Sequence, residues 1–113
     1  MFGSTTVPEI TVKELHERVV KGDIPQLVDV REHFERRVAD LPDFGQLHLP
    51  AGELLHRMGE LDREREIILY CRTGSRSAWA VRYLRHHGFE NVTNLRGGVM
   101  AWRRDVDPSL RAY

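Results

Sequence analysis

A chain of 113 residues with 17 acidic and 17 basic side chains has no net charge that would favour nucleic acid or an anionic membrane as its partner. We expect residues 1–113 to form a single domain, because this length is typical of one domain. No apolar run approaches the roughly 20 residues of a membrane-spanning helix, and residues 1–8 lack the basic and apolar regions of a signal peptide. With one cysteine and therefore no intrachain disulfide, the composition predicts a soluble protein of the reducing cytoplasm.

Segments typical of strands and of helices alternate along the chain, which predicts an α/β domain with a largely parallel sheet. A short strand at Glu9 and Ile10 precedes a helix that Thr11 and Glu14 open as a capping box and that runs to about Lys21. The other predicted strands cover residues 26–30, 46–49, 66–70 and 91–95. The other predicted helices cover residues 32–38, 53–60, 75–87 and 99–104, and residues 40–45 form an irregular loop.

The most informative segment begins with the only cysteine, Cys71, directly after the apolar strand. Parallel α/β sheets form their active sites where a strand ends and a helix begins. Backbone amides of residues 72–76 can point at the sulfur there, with Gly74 allowing the tight curl. We expect a reactive, solvent-reachable thiolate with Arg76 among the groups that lower its pKa, and Arg72 able to meet an anionic sulfur donor. The candidate loop is Cys71, Arg72, Thr73, Gly74, Ser75 and Arg76.

Asp29 and Arg31 end a neighbouring strand at the same edge of the predicted sheet. We expect them to tie adjacent loops together through charge-assisted hydrogen bonds and to support the site without taking part in its chemistry. Gly97 and Gly98 are predicted to form a turn whose backbone approaches this edge closely. The six histidines lack the short regular spacings of a zinc site, so no metal is expected. The basic cluster within residues 82–87 is interpreted as a solvated helix face rather than a nucleic-acid site.

Four segments, taken together and in order, resemble a rhodanese domain over essentially the whole chain: residues 27–32, 47–50, 68–77 and 94–102. The resemblance implies a five-stranded parallel sheet flanked by helices on both faces. It also implies that Cys71 cycles between thiolate and persulfide, cradled by residues 72–76. Such an enzyme takes sulfane sulfur from a small-molecule donor such as thiosulfate and passes it to cyanide, a thiol or a carrier protein, with no metal or organic cofactor.

Residues 105–113 are similar to the tail of rhodanese domains in enzymes that activate molybdopterin and thiamine sulfur carriers. This second likeness makes sulfur-carrier or other thiol proteins candidate acceptors. Family members usually carry a Gly-His-Ile-Pro-Gly-Ala segment before the third strand, and residues 39–46 lack its glycine-histidine pair. We expect that difference to change acceptor preference rather than the chemistry at Cys71.

Two other functions fit the same residues. A cysteine-based phosphatase or arsenate reductase would separate its cysteine and arginine by five residues, whereas four separate Cys71 from Arg76. The shorter loop suits one sulfur atom better than a tetrahedral oxyanion. A non-catalytic binding module could keep the same loop without activity, since a lone cysteine after an apolar strand is often only a small buried hydrophobe. Sulfur transfer is the favoured interpretation, because the glycine and the two arginines flank the thiol.

Overall fold

Five strands form one parallel sheet in the computed structural model, which describes residues 6–113. Residues 1–5, part of the segment considered for a signal peptide, lie outside the described residues. The strands are β1 (Glu9–Ile10), β2 (Gln26–Asp29), β3 (Leu47–His48), β4 (Ile67–Tyr70) and β5 (Val92–Leu95). They lie in the order β1-β5-β4-β2-β3, and every neighbouring pair is parallel. β4 is therefore the central strand, and β2 lies directly beside it.

Helices cover both faces of this sheet, as the fold prediction required. They are α1 (Val12–Val20), α2 (His33–Val38), α3 (Leu54–Arg57), α4 (Ser75–His86) and α5 (Gly98–Asp105). One core contains the buried side chains of α3 and α4, and the other contains those of α1 and α5. None of the helices within residues 6–113 is long and apolar enough to cross a membrane.

Alternate residues of β4 point into the two cores. Ile67 and Leu69 pack with the side chains of α3 and α4, whereas Ile68 and Tyr70 pack with those of α1 and α5. All four are buried, as expected for the central strand of a parallel sheet that is covered on both sides. Cys71 continues this pattern and belongs to the core of α3 and α4. The sheet therefore aims the sulfur at the face on which α4 begins.

The predicted elements other than the helix at residues 53–60 are confirmed, and their ends shift by only one residue. The capping box of α1 is present: Thr11 Oγ1 accepts from the Glu14 amide at 3.1 Å, and Glu14 Oε1 accepts from the Thr11 amide at 2.8 Å. The predicted helix 53–60 differs, because α3 is only four residues long and lies between two short 3₁₀ turns, Ala51–Glu53 and Met58–Glu60. Gly59, which disfavours a continuous helix, lies in the second turn.

The turn at Gly97 and Gly98 brings α5 against the backbone that follows β4. The amide of Val99 donates to the carbonyl of Cys71, and the amide of Met100 donates to the carbonyl of Arg72, both at 3.0 Å. A β-carbon on Gly98 would lie 2.2 Å from the Cys71 carbonyl oxygen, so only glycine permits this approach. The predicted close approach is confirmed, and it fixes the backbone on which the sulfur is carried.

We expect Gly98→Ala to lower the free energy of unfolding by at least about 2 kcal/mol, because the added methyl group overlaps the Cys71 carbonyl and the backbone φ of +56° is unfavourable for alanine. Urea denaturation of the purified variant measures this loss. Gly52→Ala is the matched control, since a β-carbon there meets no atom within 4 Å. Equal effects of the two substitutions would contradict the proposed steric role of Gly98.

Candidate active site

The sulfur of Cys71 lies at the carboxyl end of β4, at the point where the chain turns into α4. Gly74 makes the turn with a φ of +103° and precedes the first residue of the helix. Its amide donates to Cys71 Sγ at 3.1 Å, and the hydroxyl of Ser77 lies 3.4 Å from the same atom. The amides of Thr73 and Ser77 also act on the sulfur. The observed cradle thus combines loop and helix amides with one hydroxyl.

Cys71 is fully buried, with 0% of its surface exposed, so the prediction of a solvent-reachable sulfur is wrong for this conformation. The side chain points into the core of α3 and α4 beneath the loop that was expected to present it. Burial alone raises the pKa of the thiol, because a charge is disfavoured away from water. The hydroxyl of Ser77 and the amides of Ser77, Gly74 and Thr73 outweigh that effect and lower the pKa of Cys71 below its ordinary value.

Ser77 connects the sulfur to a buried polar chain that ends on β1. Its hydroxyl lies 2.5 Å from Asn94 Oδ1, and Asn94 Nδ2 donates to the Gly74 carbonyl at 3.1 Å and to Glu9 Oε2 at 3.2 Å. Those two acceptors fix which end of the amide faces Ser77. The Ser77 hydroxyl has one proton, and both Asn94 Oδ1 and Cys71 Sγ are close enough to accept it. When the thiol ionises, the hydroxyl can rotate and donate to the sulfur instead of to Asn94.

Asp29 and Arg31 lie beneath the site, and neither side chain is exposed. Arg31 binds both carboxylate oxygens of Asp29 at 2.9 Å and also contacts Asp40 Oδ1 at 3.0 Å. Its remaining nitrogen, Nη1, donates to the carbonyl of Ala39 and to the hydroxyl of Tyr113, both at 2.7 Å. The unusual segment 39–46 therefore supplies part of the cage around Arg31.

Arg76 pairs with a carboxylate that the sequence analysis did not identify. Its two terminal nitrogens lie 2.6 and 2.8 Å from the oxygens of Glu35, whose side chain is 5% exposed. The Arg76 guanidinium holds the pKa of Glu35 at about 2, although burial of the carboxylate raises it. Hydrogen bonds from the Glu32 backbone and the Tyr113 hydroxyl lower the pKa further. The positive charge of Arg76 is largely neutralised there. That Arg76 helps lower the thiol pKa stays a prediction, since the groups that touch the sulfur are neutral donors.

The outer rim of the loop consists of exposed residues: Arg72, Thr73 and Ser75. Within residues 6–113, no carboxylate pairs with Arg72; its guanidinium carbon lies 5.0 Å from the centre of the Tyr113 ring. No three His, Cys, Asp or Glu side chains in that part of the chain are grouped so that they could hold a metal. The site thus combines a buried thiol with an exposed cation, Arg72, on the rim of the same loop.

Sequence reasoning missed four residues that the structure brings to the site: Glu35, Ser77, Asn94 and Tyr113. Ser77 could have been identified most easily, because it directly follows the loop in sequence and lies on the buried face of α4. Asn94 is a polar residue inside a buried strand, which usually indicates a specific partner. Glu35 and Tyr113 have no such signal, since the arginines that their side chains bind, Arg76 and Arg31, lie 41 and 82 residues away.

The comparison with family models places residues 11–105 in the rhodanese-like domain family. The chain belongs to that family. A protein of Allochromatium vinosum named sulfurtransferase is 39% identical to it over 98 residues, a match that covers 87% of this chain and 90% of that protein. Rhodanese-like relatives therefore include proteins of about the same extent as this chain.

This chain is also similar to part of a longer protein and to a solved structure. A protein of Ogataea parapolymorpha named adenylyltransferase and sulfurtransferase uba4 is 36% identical over 91 residues, covering 79% of this chain but only 23% of that protein. The crystal structure of a rhodanese-like domain protein from Staphylococcus aureus superposes with a TM-score of 0.79 at 26% identity, covering 95% of this chain and 99% of that one. The likeness to rhodanese domains inside larger adenylyltransferases is thus confirmed.

The Glu35–Arg76 pair predicts a specific dependence of stability on pH. Because the folded state lowers the pKa of Glu35 from 4.5 to about 2, the ionised carboxylate stabilises the fold fully above about pH 4.5, and this contribution disappears as the pH falls towards 2. The difference in unfolding free energy between the wild type and Glu35→Gln should shrink over that interval. Chemical denaturation at successive pH values measures it. The control Glu90→Gln changes an exposed residue and should lower the unfolding free energy little at any pH. A difference between the wild type and Glu35→Gln that stays constant from pH 6 to 2 would contradict the role of the pair.

The contacts of the sulfur predict that Ser77→Ala raises the pH at which half of Cys71 is ionised, because one of the donors to the thiolate is lost. At pH 7 the rate of alkylation by iodoacetamide should fall about two- to tenfold. The double variant Glu35→Gln, Arg76→Gln removes a neutralised pair and should leave the pH profile nearly in place. A larger shift in the double variant than in Ser77→Ala would assign thiolate stabilisation to Arg76 instead.

Proposed function

We propose that the chain is a sulfurtransferase in which Cys71 accepts sulfane sulfur as a persulfide and passes it on. The observation that carries this proposal is the set of donors around Cys71 Sγ, namely the amide of Gly74 and the hydroxyl of Ser77 at the start of α4. Donors arranged in this way favour a negatively charged sulfur and suit the terminal sulfur of a persulfide equally well. The relatives named sulfurtransferase support the same chemistry.

The reaction follows from the nucleophilicity of a thiolate. The Cys71 thiolate attacks the outer sulfur of thiosulfate, a new S–S bond forms, and sulfite leaves with the electrons of the broken bond. A thiophilic acceptor such as cyanide then attacks the terminal sulfur of the persulfide. Thiocyanate leaves, and the Cys71 thiolate is restored. No net oxidation occurs, so this cycle calls for neither a metal nor an organic cofactor.

The loop residues take distinct parts in this proposal. Thr73 and Gly74 supply amides to the sulfur, and Ser75 begins the helix that completes the cradle. Arg72 meets the oxygens of an anionic donor, because its charge is exposed and is not opposed by a carboxylate within residues 6–113. Arg76 shapes the loop through Glu35, and Asp29 and Arg31 support the loop from below. Cys71 alone forms and breaks covalent bonds.

The phosphatase alternative is disfavoured by the partner of Arg76. A phosphatase needs its loop arginine to bind the phosphate with both terminal nitrogens. Here both nitrogens already bind Glu35. The spacing of four residues between Cys71 and Arg76 also differs from that of the phosphatases. Sulfur transfer therefore remains the function that the geometry supports best.

We propose a small-molecule sulfur donor and a thiol or sulfur-carrier protein as acceptor, with the whole chain acting as one domain. The larger relative named adenylyltransferase and sulfurtransferase supports a protein acceptor of this kind. A reducing compartment such as the cytoplasm suits the proposal, because the unpaired thiol must stay free between cycles.

The proposal predicts that the protein forms thiocyanate from thiosulfate and cyanide and that Cys71→Ser reduces this activity to the uncatalysed rate. Since Cys71 is the only cysteine, no other thiol can replace it. Mass spectrometry of the wild type after incubation with thiosulfate should find one extra sulfur on the Cys71 peptide and none on the variant. Hydrolysis of an aryl phosphate without a sulfur adduct would favour the phosphatase, and neither activity would favour a binding module.

A further inference from the structure

The charge of Arg72 is held by an aromatic ring rather than by a carboxylate. Its guanidinium carbon lies 5.0 Å from the centre of the Tyr113 ring, within the range of a cation–π contact. Arg31 and Arg76, the other two arginines near the sulfur, each bind a carboxylate with two nitrogens. An aromatic face fixes the position of a guanidinium while leaving its charge and its edge N–H groups available to an anion.

Tyr113 is itself fixed by the groups beneath the site. Its hydroxyl accepts from Arg31 Nη1 at 2.7 Å and donates to Glu35 Oε2 at 3.0 Å. The ring is half-buried and packs against the core of α1 and α5. The hydroxyl therefore sets the height and tilt of the ring on which Arg72 rests.

Residues 106–113, here called the strap, carry Tyr113 from the end of α5 to this position. The amides of Val106 and Asp107 both donate to the carbonyl of Trp102, at 2.9 and 2.8 Å. Further along, Arg103 Nε donates to the carbonyl of Leu110 at 2.7 Å, and the side chain of Leu110 packs on the core. The strap is thus attached at its start by Trp102 and near its end by Arg103 and by the packing of Leu110. These contacts define its path.

We propose that Tyr113 is a positioning residue that holds the Arg72 guanidinium at the rim of the active-site loop and so makes the site select anionic sulfur donors. This inference rests on the proposed function, because it assigns a donor class to the same thiol. Without the ring, Arg72 is an exposed side chain with many rotamers, and its charge spreads over a larger volume. With the ring, the charge stays at the rim of the loop that carries Cys71.

The selectivity of alkylation tests this role without depending on sulfur transfer. Iodoacetate is an anion and iodoacetamide is neutral, but both react with the same thiolate and have nearly the same size. The ratio of their rates at Cys71 therefore cancels any change in thiol pKa or in access and reports the local positive charge. We expect Tyr113→Leu to lower this ratio about two- to fivefold, the strength of a cation–π contact. Tyr113→Phe keeps the ring but loses the hydroxyl that fixes it, so it should lower the ratio by a smaller factor.

Two further variants make the result specific. Tyr83→Leu makes the same substitution at another partly buried tyrosine, on the exposed aromatic face of α4, and should leave the ratio unchanged. In an Arg72→Ala background, Tyr113→Leu should have no further effect on the ratio, since the charge that Tyr113 positions is gone. In steady state, Tyr113→Leu should raise the KM for thiosulfate by the same factor and change kcat by less than twofold.

The possible results distinguish failure of the proposed role of Tyr113 from failure of the proposed sulfurtransferase activity. Equal losses of both alkylation rates in Tyr113→Leu, with an unchanged ratio, would show a merely structural role and overturn the inference. Additive effects of Arg72→Ala and Tyr113→Leu would also overturn it. If Tyr113→Leu lowers the ratio of alkylation rates but the wild type makes no thiocyanate, the selection of anions by Arg72 is supported and the sulfurtransferase proposal is contradicted. A Cys71 that neither reagent modifies would overturn both.

Discussion

The buried guanidinium of Arg31 is the constraint on which the rest of the site depends. A charge with no exposed surface is tolerated only when every donor has a partner. Arg31 meets this condition with Asp29, Asp40, the Ala39 carbonyl and Tyr113. These partners come from the end of β2, the segment after α2 and the strap. One side chain thus joins two neighbouring segments to the strap, which is 82 residues away in sequence. Loss of any partner leaves a buried charge incompletely bonded.

The environment of the thiol illustrates how neutral donors can stabilise a buried anion. The cations closest in sequence to Cys71 are engaged elsewhere, Arg76 by Glu35 and Arg72 by an aromatic face. What reaches the sulfur directly is a set of dipoles from one hydroxyl and several amides. Dipoles fixed by the fold need no reorganisation when charge appears on the sulfur. The proposed persulfide would carry its charge one sulfur further out, where several donors around one point can still contribute.

Much of the fold could be predicted from the sequence, because its information is local. Runs of buried residues such as Ile67 to Tyr70 identify central strands, the capping box of Thr11 and Glu14 identifies the start of α1, and paired glycines identify the close turn before α5. The position of Cys71 after β4 also follows from local order. The burial of its sulfur and the partners Glu35, Asn94 and Tyr113 could not be predicted, since they depend on how the turns orient side chains brought together by the sheet.

The two hydrogen bonds from α5 to the carbonyls of Cys71 and Arg72 also decide how a reactant enters. Because those peptide groups accept hydrogen bonds from α5 and Gly98 packs directly against them, moving the main chain aside would cost both hydrogen bonds. Rotation of the exposed side chains of the loop costs neither bond and takes picoseconds to nanoseconds. Because such rotations are far faster than typical turnover, a small reactant that displaces these side chains to reach Cys71 would not be delayed by them.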